Sequence, residues 1–246
     1  MASALLTIIN TRSGPLAQAT SEVFHEAGFE VIEVPLREQR RTLSIEATER
    51  VLRDAAKNGA LVALLSPSAA GFVAQADAAL LSQLQLVVLG EGSAKSLRDT
   101  QVSLAFVGEG RDGAAFAKEL LRAFPDLRRV VVLQSKLGRE AFGRSLKDAG
   151  IEVEGHELYD NIEIEGAAED LCAALKTAQS AIVLAYAPSA VETIARALEA
   201  FAGQIPVASI GPTTSKACQD SGLDLCCEAS EASNSALLAA VQEMLG

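Results

Sequence analysis

Residues 27–31 read Ala-Gly-Phe-Glu-Val and residues 149–153 read Ala-Gly-Ile-Glu-Val, an offset of 122. Nearly the same displacement, 121, relates Ser66-Pro67-Ser68-Ala69-Ala70 to Ala187-Pro188-Ser189-Ala190-Val191 and Gly90-Glu91-Gly92-Ser93 to Gly211-Pro212-Thr213-Thr214. From the Pro-Ser element to the glycine the step is 24 residues in both halves, 66 to 90 and 187 to 211. Three features in one order, displaced by about half of the 246 residues, mark a duplicated unit and predict two similar domains. No Pro-, Gly- or Ser-rich linker divides the halves, so a short connection, or one built from strands, is expected.

Outward from these repeats, short apolar runs alternate with amphipathic stretches. The first half predicts strands at 5–10, 30–35, 61–65, 86–89 and 104–107, and helices at 14–27, 44–57, 67–80, 93–99 and 113–124. Gly28 stops the first helix, residues 37–42 read as a charged turn, and Ser44 caps the helix that follows. The second half predicts strands at 129–133, 152–159, 181–185, 206–210 and 224–227, and helices at 139–149, 167–176, 188–201, 214–221 and 234–245. Strict alternation implies an α/β fold of doubly wound parallel sheets with helices on both faces. Aromatics are only 4% and Trp is absent, so the core must be Leu, Val, Ile and Ala, which suits buried parallel strands.

A net charge of −11 argues against nucleic acid or an anionic membrane as partner, because both require a cationic surface. Apolar runs such as 60–65 and 182–187 are too short to span a bilayer. The first ten residues carry no basic stretch or cleavage-like site and read as a strand, so a soluble cytoplasmic protein is expected. Cys172, Cys218, Cys226 and Cys227 match no zinc or redox spacing and read as reduced structural thiols. With only His25 and His156, both read as surface residues, neither a His-rich metal site nor a Ser-His-Asp triad is expected. Glu163, Glu165, Glu169 and Asp170 read as solvated helix faces, and neither Gly90-Glu91-Gly92 nor Gly108-Glu109-Gly110 completes a nucleotide-binding fingerprint.

In parallel sheets, ligands collect where strands run into helix N-termini. Thr11-Arg12-Ser13-Gly14, Ser66-Pro67-Ser68, Ala187-Pro188-Ser189 and Gly211-Pro212-Thr213-Thr214 all fall there. Each offers backbone N–H groups and small hydroxyls at the positive end of a helix, a cradle for carboxylate or phosphate. Each is equally readable as a plain helix cap. Tyr159 ends a strand in a chain with two tyrosines, so its hydroxyl faces a ligand cleft or its ring closes the core.

In this order, the Thr-Arg after the first strand, the paired Pro-Ser-Ala elements, Tyr159 and Ile210-Gly211-Pro212-Thr213-Thr214 resemble uroporphyrinogen-III synthases. Gly222-Leu223 and Ala236-Leu237-Leu238 extend the resemblance, which spans nearly the whole chain. It implies two flavodoxin-like domains joined by a two-stranded ladder with a cleft between, the chain building 1–36 with 161–246 as one domain and 37–160 as the other. It implies a lyase of tetrapyrrole (heme) biosynthesis, without metal or cofactor. Such an enzyme removes water from hydroxymethylbilane, which bears eight carboxylates, inverts the last pyrrole ring and closes the macrocycle. Carried onto this sequence, Tyr159 would be the catalytic donor, and Thr213, Thr214, Gly211, Ser66, Ser68, Ser189, Arg12 and Thr11 would bind substrate. A monomer is expected, receiving its substrate by handover from the preceding enzyme of the pathway.

This sequence departs from the family pattern at Ala187, where a hydroxyl is usual, and at Lys136, where an Arg is common. Its acidity also leaves an octa-anionic substrate to local donors such as Arg12, Lys136 and Arg139. Two rival readings share the layout: a two-lobed sensor that captures a small anion without chemistry, and a homologue that only binds tetrapyrrole.

Overall fold

The computed structural model describes residues 6–100, 102–110, 112–136, 138, 140–201 and 204–246. Leu5 and Arg139, where the sequence begins a strand and a helix, lie outside them. The elements run β1 (Thr7–Asn10), α1 (Pro15–Glu26), β2 (Glu30–Glu33), β3 (Arg37–Arg41), α2 (Ile45–Lys57), β4 (Leu61–Leu64), α3 (Pro67–Val73), α4 (Ala78–Leu81), β5 (Gln85–Leu89), α5 (Gly90–Lys95), β6 (Leu104–Gly108) and α6 (Gly113–Ala123). They continue β7 (Arg129–Ser135), α7 (Ala141–Asp148), β8 (Glu152–Glu163), α8 (Ala167–Thr177), β9 (Ala181–Ala185), α9 (Pro188–Leu198), β10 (Val207–Ser209), α10 (Pro212–Asp220), β11 (Leu225–Glu228) and α11 (Asn234–Leu245). Two compact units result, Met1–Glu38 with Ile162–Gly246, and Gln39–Asn161. The chain crosses between them within β3 and again within β8.

The first unit is a five-stranded sheet in the order β11-β10-β9-β1-β2. Every neighbouring pair is parallel. Its three central strands, β10, β9 and β1, are buried on both faces because helices cover both. Ile9, Val183, Ala185 and Val207 pack under α8, α9 and α10. Ile8, Ile182, Leu184 and Ala208 pack with Phe24 of α1 and Leu237 and Val241 of α11. The second unit orders its strands β3-β8-β7-β4-β5-β6. Val62, Leu64, Val131 and Leu133 join one core with residues of α2 to α5. Leu61, Ala63, Val130 and Val132 join the other with Phe116, Leu120, Phe142 and Leu146 of α6 and α7.

The repeat explains the two orders together. An offset of about 121 carries β4, β5 and β6 onto β9, β10 and β11, and the one of 122 carries β1 and β2 onto β7 and β8. Both sheets then have corresponding strands in corresponding places, with β3 added at one edge. Among the described residues no helix is long and apolar enough to cross a membrane.

Several expectations are corrected. Residues 37–42, expected as a turn, are mostly β3, a strand held by β8: the Thr42 amide donates to Leu158 O at 3.0 Å and its hydroxyl to Glu157 O at 2.7 Å. Tertiary pairing overrides the low strand propensity of Arg-Glu-Gln-Arg-Arg. The helix expected at 67–80 is two, because the Asp77 carboxylate caps a new start by accepting from the Leu80 amide at 2.9 Å. The one expected at 93–99 begins at Gly90, and the one at 214–221 begins at Pro212.

Phe142 is fully buried and stacks on Phe116, centroids 5.3 Å apart. Phe142→Ala should therefore cost about 3–5 kcal/mol of unfolding free energy, read by equilibrium denaturation.

Candidate active site

β10, β9 and β1 lie side by side and parallel, so their carboxyl ends form one edge of the first unit. From that edge α1 turns to one face, while α9 and α10 turn to the other. β1 and β9 thus flank the point where the winding reverses, the usual ligand crevice of such sheets. All three helices begin the same way. Each has Pro in its first turn, where the missing N–H is harmless. None has a side-chain cap: the capping residues are Gly14, Ala187 and Gly211. The Leu16, Ser189 and Thr213 amides consequently donate to nothing among the described residues. No acidic residue occupies any of these first turns. Three bare helix N-termini concentrate partial positive charge on one edge.

A cation completes that edge. Asn10 is paired with Leu184, so the residues two further along each strand, Arg12 and Tyr186, also meet. The Arg12 guanidinium lies 4.0 Å from the Tyr186 ring centroid and donates through Nη1 to Asn234 Oδ1 at 3.0 Å. Burial lowers the Arg12 pKa, and Tyr186 opposes the shift; the side chain remains a cation. Burial likewise pushes the Tyr186 hydroxyl up to about 12, against a weaker pull from the Arg12 charge. That hydroxyl has no hydrogen-bond partner among the described residues, the Thr20 hydroxyl being directed at Leu16 O and Asn234. Behind the edge, Arg37 donates to Ser189 O at 2.8 Å and anchors the start of α9.

The expected site residues divide between the units. In the first, Ser189 and Thr213 are exposed at their helix starts. Thr214 is only 3% exposed, so its hydroxyl packs into the protein and its amide donates to Gly211 O. Thr11 spends its hydroxyl on Leu184 O at 2.6 Å, locking β1 to β9. Gly211 is extended, a conformation open to any residue, and a Cβ there would meet nothing within 4 Å. In the second unit, Tyr159 is 7% exposed and tilted against Phe72 at 5.2 Å. Its hydroxyl is 3.1 Å from Ser66 Oγ. Ser66 also caps α3, accepting from the Ala69 amide at 3.1 Å. Ser68 is half-buried beside it. Lys136 is exposed, with its ammonium 3.9 Å from Asp160, and Arg139 lies outside the described residues.

Elsewhere, His25 is exposed and His156 is half-buried against Glu154 at 2.8 Å. Glu163 is more than solvated surface: it accepts from Thr193 at 2.8 Å and pairs with Arg196, contacts that hold its carboxyl below the usual range. Among the described residues no cluster of three or more His, Cys, Asp or Glu could hold a metal.

The family model for uroporphyrinogen-III synthase HemD matches residues 18–239. The chain belongs to that family. Two solved synthases share its fold. The Helicobacter pylori enzyme has 18% identity and a TM-score of 0.57, over 98% of this chain and 100% of that one. A mutant of the Thermus thermophilus enzyme has 16% identity and a TM-score of 0.54, over 98% and 99%. A search of curated proteins finds no match. Membership makes the chain an enzyme of heme biosynthesis.

In this chain, Tyr186 and Asn234 are the residues that sequence reasoning missed. The signal was the register: once β1 is placed against β9, an Arg and a Tyr at equal distances past the paired ends must be neighbours. Tyr186 also carries a pH signature. Its hydroxyl, ordinarily near 10, titrates at about 12 in the fold, so the unfolded chain releases the proton first. Stability from this group is intact below pH 10 and is lost as pH rises towards about 12. Tyr186→Phe should flatten the alkaline fall in thermal midpoint across that window relative to the parent.

Proposed function

We propose that this chain is a working, cofactor-independent carbon–oxygen lyase, which cyclises hydroxymethylbilane to uroporphyrinogen III with loss of water and inversion of the last ring. The observation that carries the reading is the bare edge of the first unit, a carboxylate-binding surface in a chain of the synthase family. The substrate's carboxylate arms take the Leu16, Ser189 and Thr213 amides and the Arg12 guanidinium. Each such contact is charge-assisted, worth about 1.5–3 kcal/mol. The four reduced cysteines fit work in the cytoplasm.

The chemistry asks little of strong acids or bases. The pyrrole nitrogen expels the hydroxyl, leaving an electrophilic azafulvene. The protein's task is to hold the chain so that the substituted carbon of the last ring is attacked, and to keep water from the intermediate. Tyr159 donates a hydrogen bond to the departing hydroxyl, while Ser66 fixes the phenol's orientation and Phe72 its ring. No bound metal enters this scheme. Handover of substrate from the preceding enzyme, and action as a monomer, complete the proposal.

Fresh hydroxymethylbilane, supplied without metal or cofactor, should give mainly isomer III after oxidation and separation of the products. Isomer I alone, at the rate of the uncatalysed control, would sink the proposal and favour a binding protein.

Two substitutions separate donor from cradle. Tyr159→Phe removes one hydrogen bond while the ring keeps its packing, so kcat should fall roughly 5- to 150-fold, about 1–3 kcal/mol, with little change in thermal midpoint. Gly211→Val places its Cβ in open space. It shades the first-turn amides of α10, so KM should rise about 10-fold, equivalent to about 1.4 kcal/mol, at unchanged stability.

A further inference from the structure

Cys226 and Cys227 are adjacent on β11, the edge strand of the first unit. Successive side chains of a regular strand point to opposite faces, which would keep two neighbouring thiols apart. Here the register breaks: Val207 pairs with Leu225, but Ala208 pairs with Cys227, leaving Cys226 as the extra residue of a bulge. The faces confirm the effect. Leu225 packs with the α8–α10 core, whereas Cys226 and Cys227 both pack with the α1–α11 core. Alternation would have returned Cys227 to the Leu225 face. As a result the two Sγ atoms are 3.9 Å apart. Neither is in a disulfide and both are only half-buried.

We propose that this bulge makes a two-point thiol clamp for soft trivalent electrophiles of the arsenical class. A bridging arsenic needs two sulfurs a few ångströms apart on one side of the backbone, and the bulge supplies that arrangement without a change of strand partner. The first attack comes from Cys226. Its thiol is held below the usual value chiefly by the hydrogen bond it shares with Cys227, whose own thiol is raised by the same interaction. With phenylarsine oxide the balance is simple: two As–S bonds form, the two thiol protons leave with the oxide oxygen as one water, and arsenic stays trivalent. The clamp is independent of the synthase reading.

The test uses the reduced full-length protein and phenylarsine oxide. One arsenical per chain should survive gel filtration, and the count of thiols reactive under native conditions should fall by two. A dithiol such as 2,3-dimercaptopropanol should release it, and an equal concentration of a monothiol should not. Cys226→Ser and Cys227→Ser should each lower retention at least 10-fold, while Cys172→Ser and Cys218→Ala should retain the arsenical as the parent does. Native circular dichroism of each variant verifies folding. Retention undiminished in Cys226→Ser, or loss of one thiol instead of two in the parent, would overturn the clamp.

Discussion

The parallel pairing of Thr7–Asn10 with Ala181–Leu184 is the contact on which the first unit depends. It joins segments 174 residues apart (7 to 181), so it carries a large loop-closure cost that local helix formation does not repay. Its return is fourfold. It closes the sheet, creates the point where the winding reverses, brings the starts of α1 and α9 together, and sets Arg12 over Tyr186. The Thr11 hydroxyl bond to Leu184 O pins the same junction. A residue that resembles a ligand donor in the sequence is therefore a clamp on the register, upstream of every donor at that edge.

For a chain of net charge −11, the octa-anionic substrate of the proposed reaction requires charge arranged locally. Its long-range field opposes approach, but screening at physiological salt limits that opposition to roughly 8 Å. Within that distance the relevant charges are backbone dipoles and the guanidinium groups of Arg12 and Arg37. Keeping acidic residues out of the first turns of α1, α9 and α10 matters more than the total, because a carboxylate there would occupy the cradle itself. The contrast is visible in the same unit, where the first turn of α8 carries Glu169 and Asp170.

What the sequence displayed best was periodic. Parallel strands buried on both faces leave unbroken apolar runs, and the duplicated Ala-Gly and Pro-Ser elements revealed equivalent positions before any pairing was known. What it hid was set by partners distant in the chain. Arg37–Arg41 has no apolar alternation and is a strand because β8 completes its hydrogen bonds. Asp77 splits a continuous helical pattern through one carboxylate contact. At the site, the strand-to-helix loops could be located, since Pro and Gly mark them. Whether each hydroxyl faced outwards could not, since Thr213 and Thr214 are chemically identical neighbours and only the packing of α10 buries the second. Tyr186 lacked a motif of its own and became visible only through the strand it follows.

Ala187 shows how the duplicated edges diverged. Its counterpart Ser66 caps α3 with its own hydroxyl, which satisfies the Ala69 amide and ties the helix start to Tyr159. Alanine at 187 cannot do either, so α9 begins bare. The next pair differs in the same sense, with Glu91 in the first turn of α5 and no acid in that of α10. On one edge α3 is capped internally, although α5 and α7 are not, and the edge offers a hydroxyl pair; the other has left three N-termini open and offers positive potential. Leaving a cap off costs about 1 kcal/mol of stability per helix. In the proposed reaction that cost is offset when a substrate carboxylate becomes the missing cap, so the loss of a hydroxyl at 187 is consistent with binding and need not signal decay of the site.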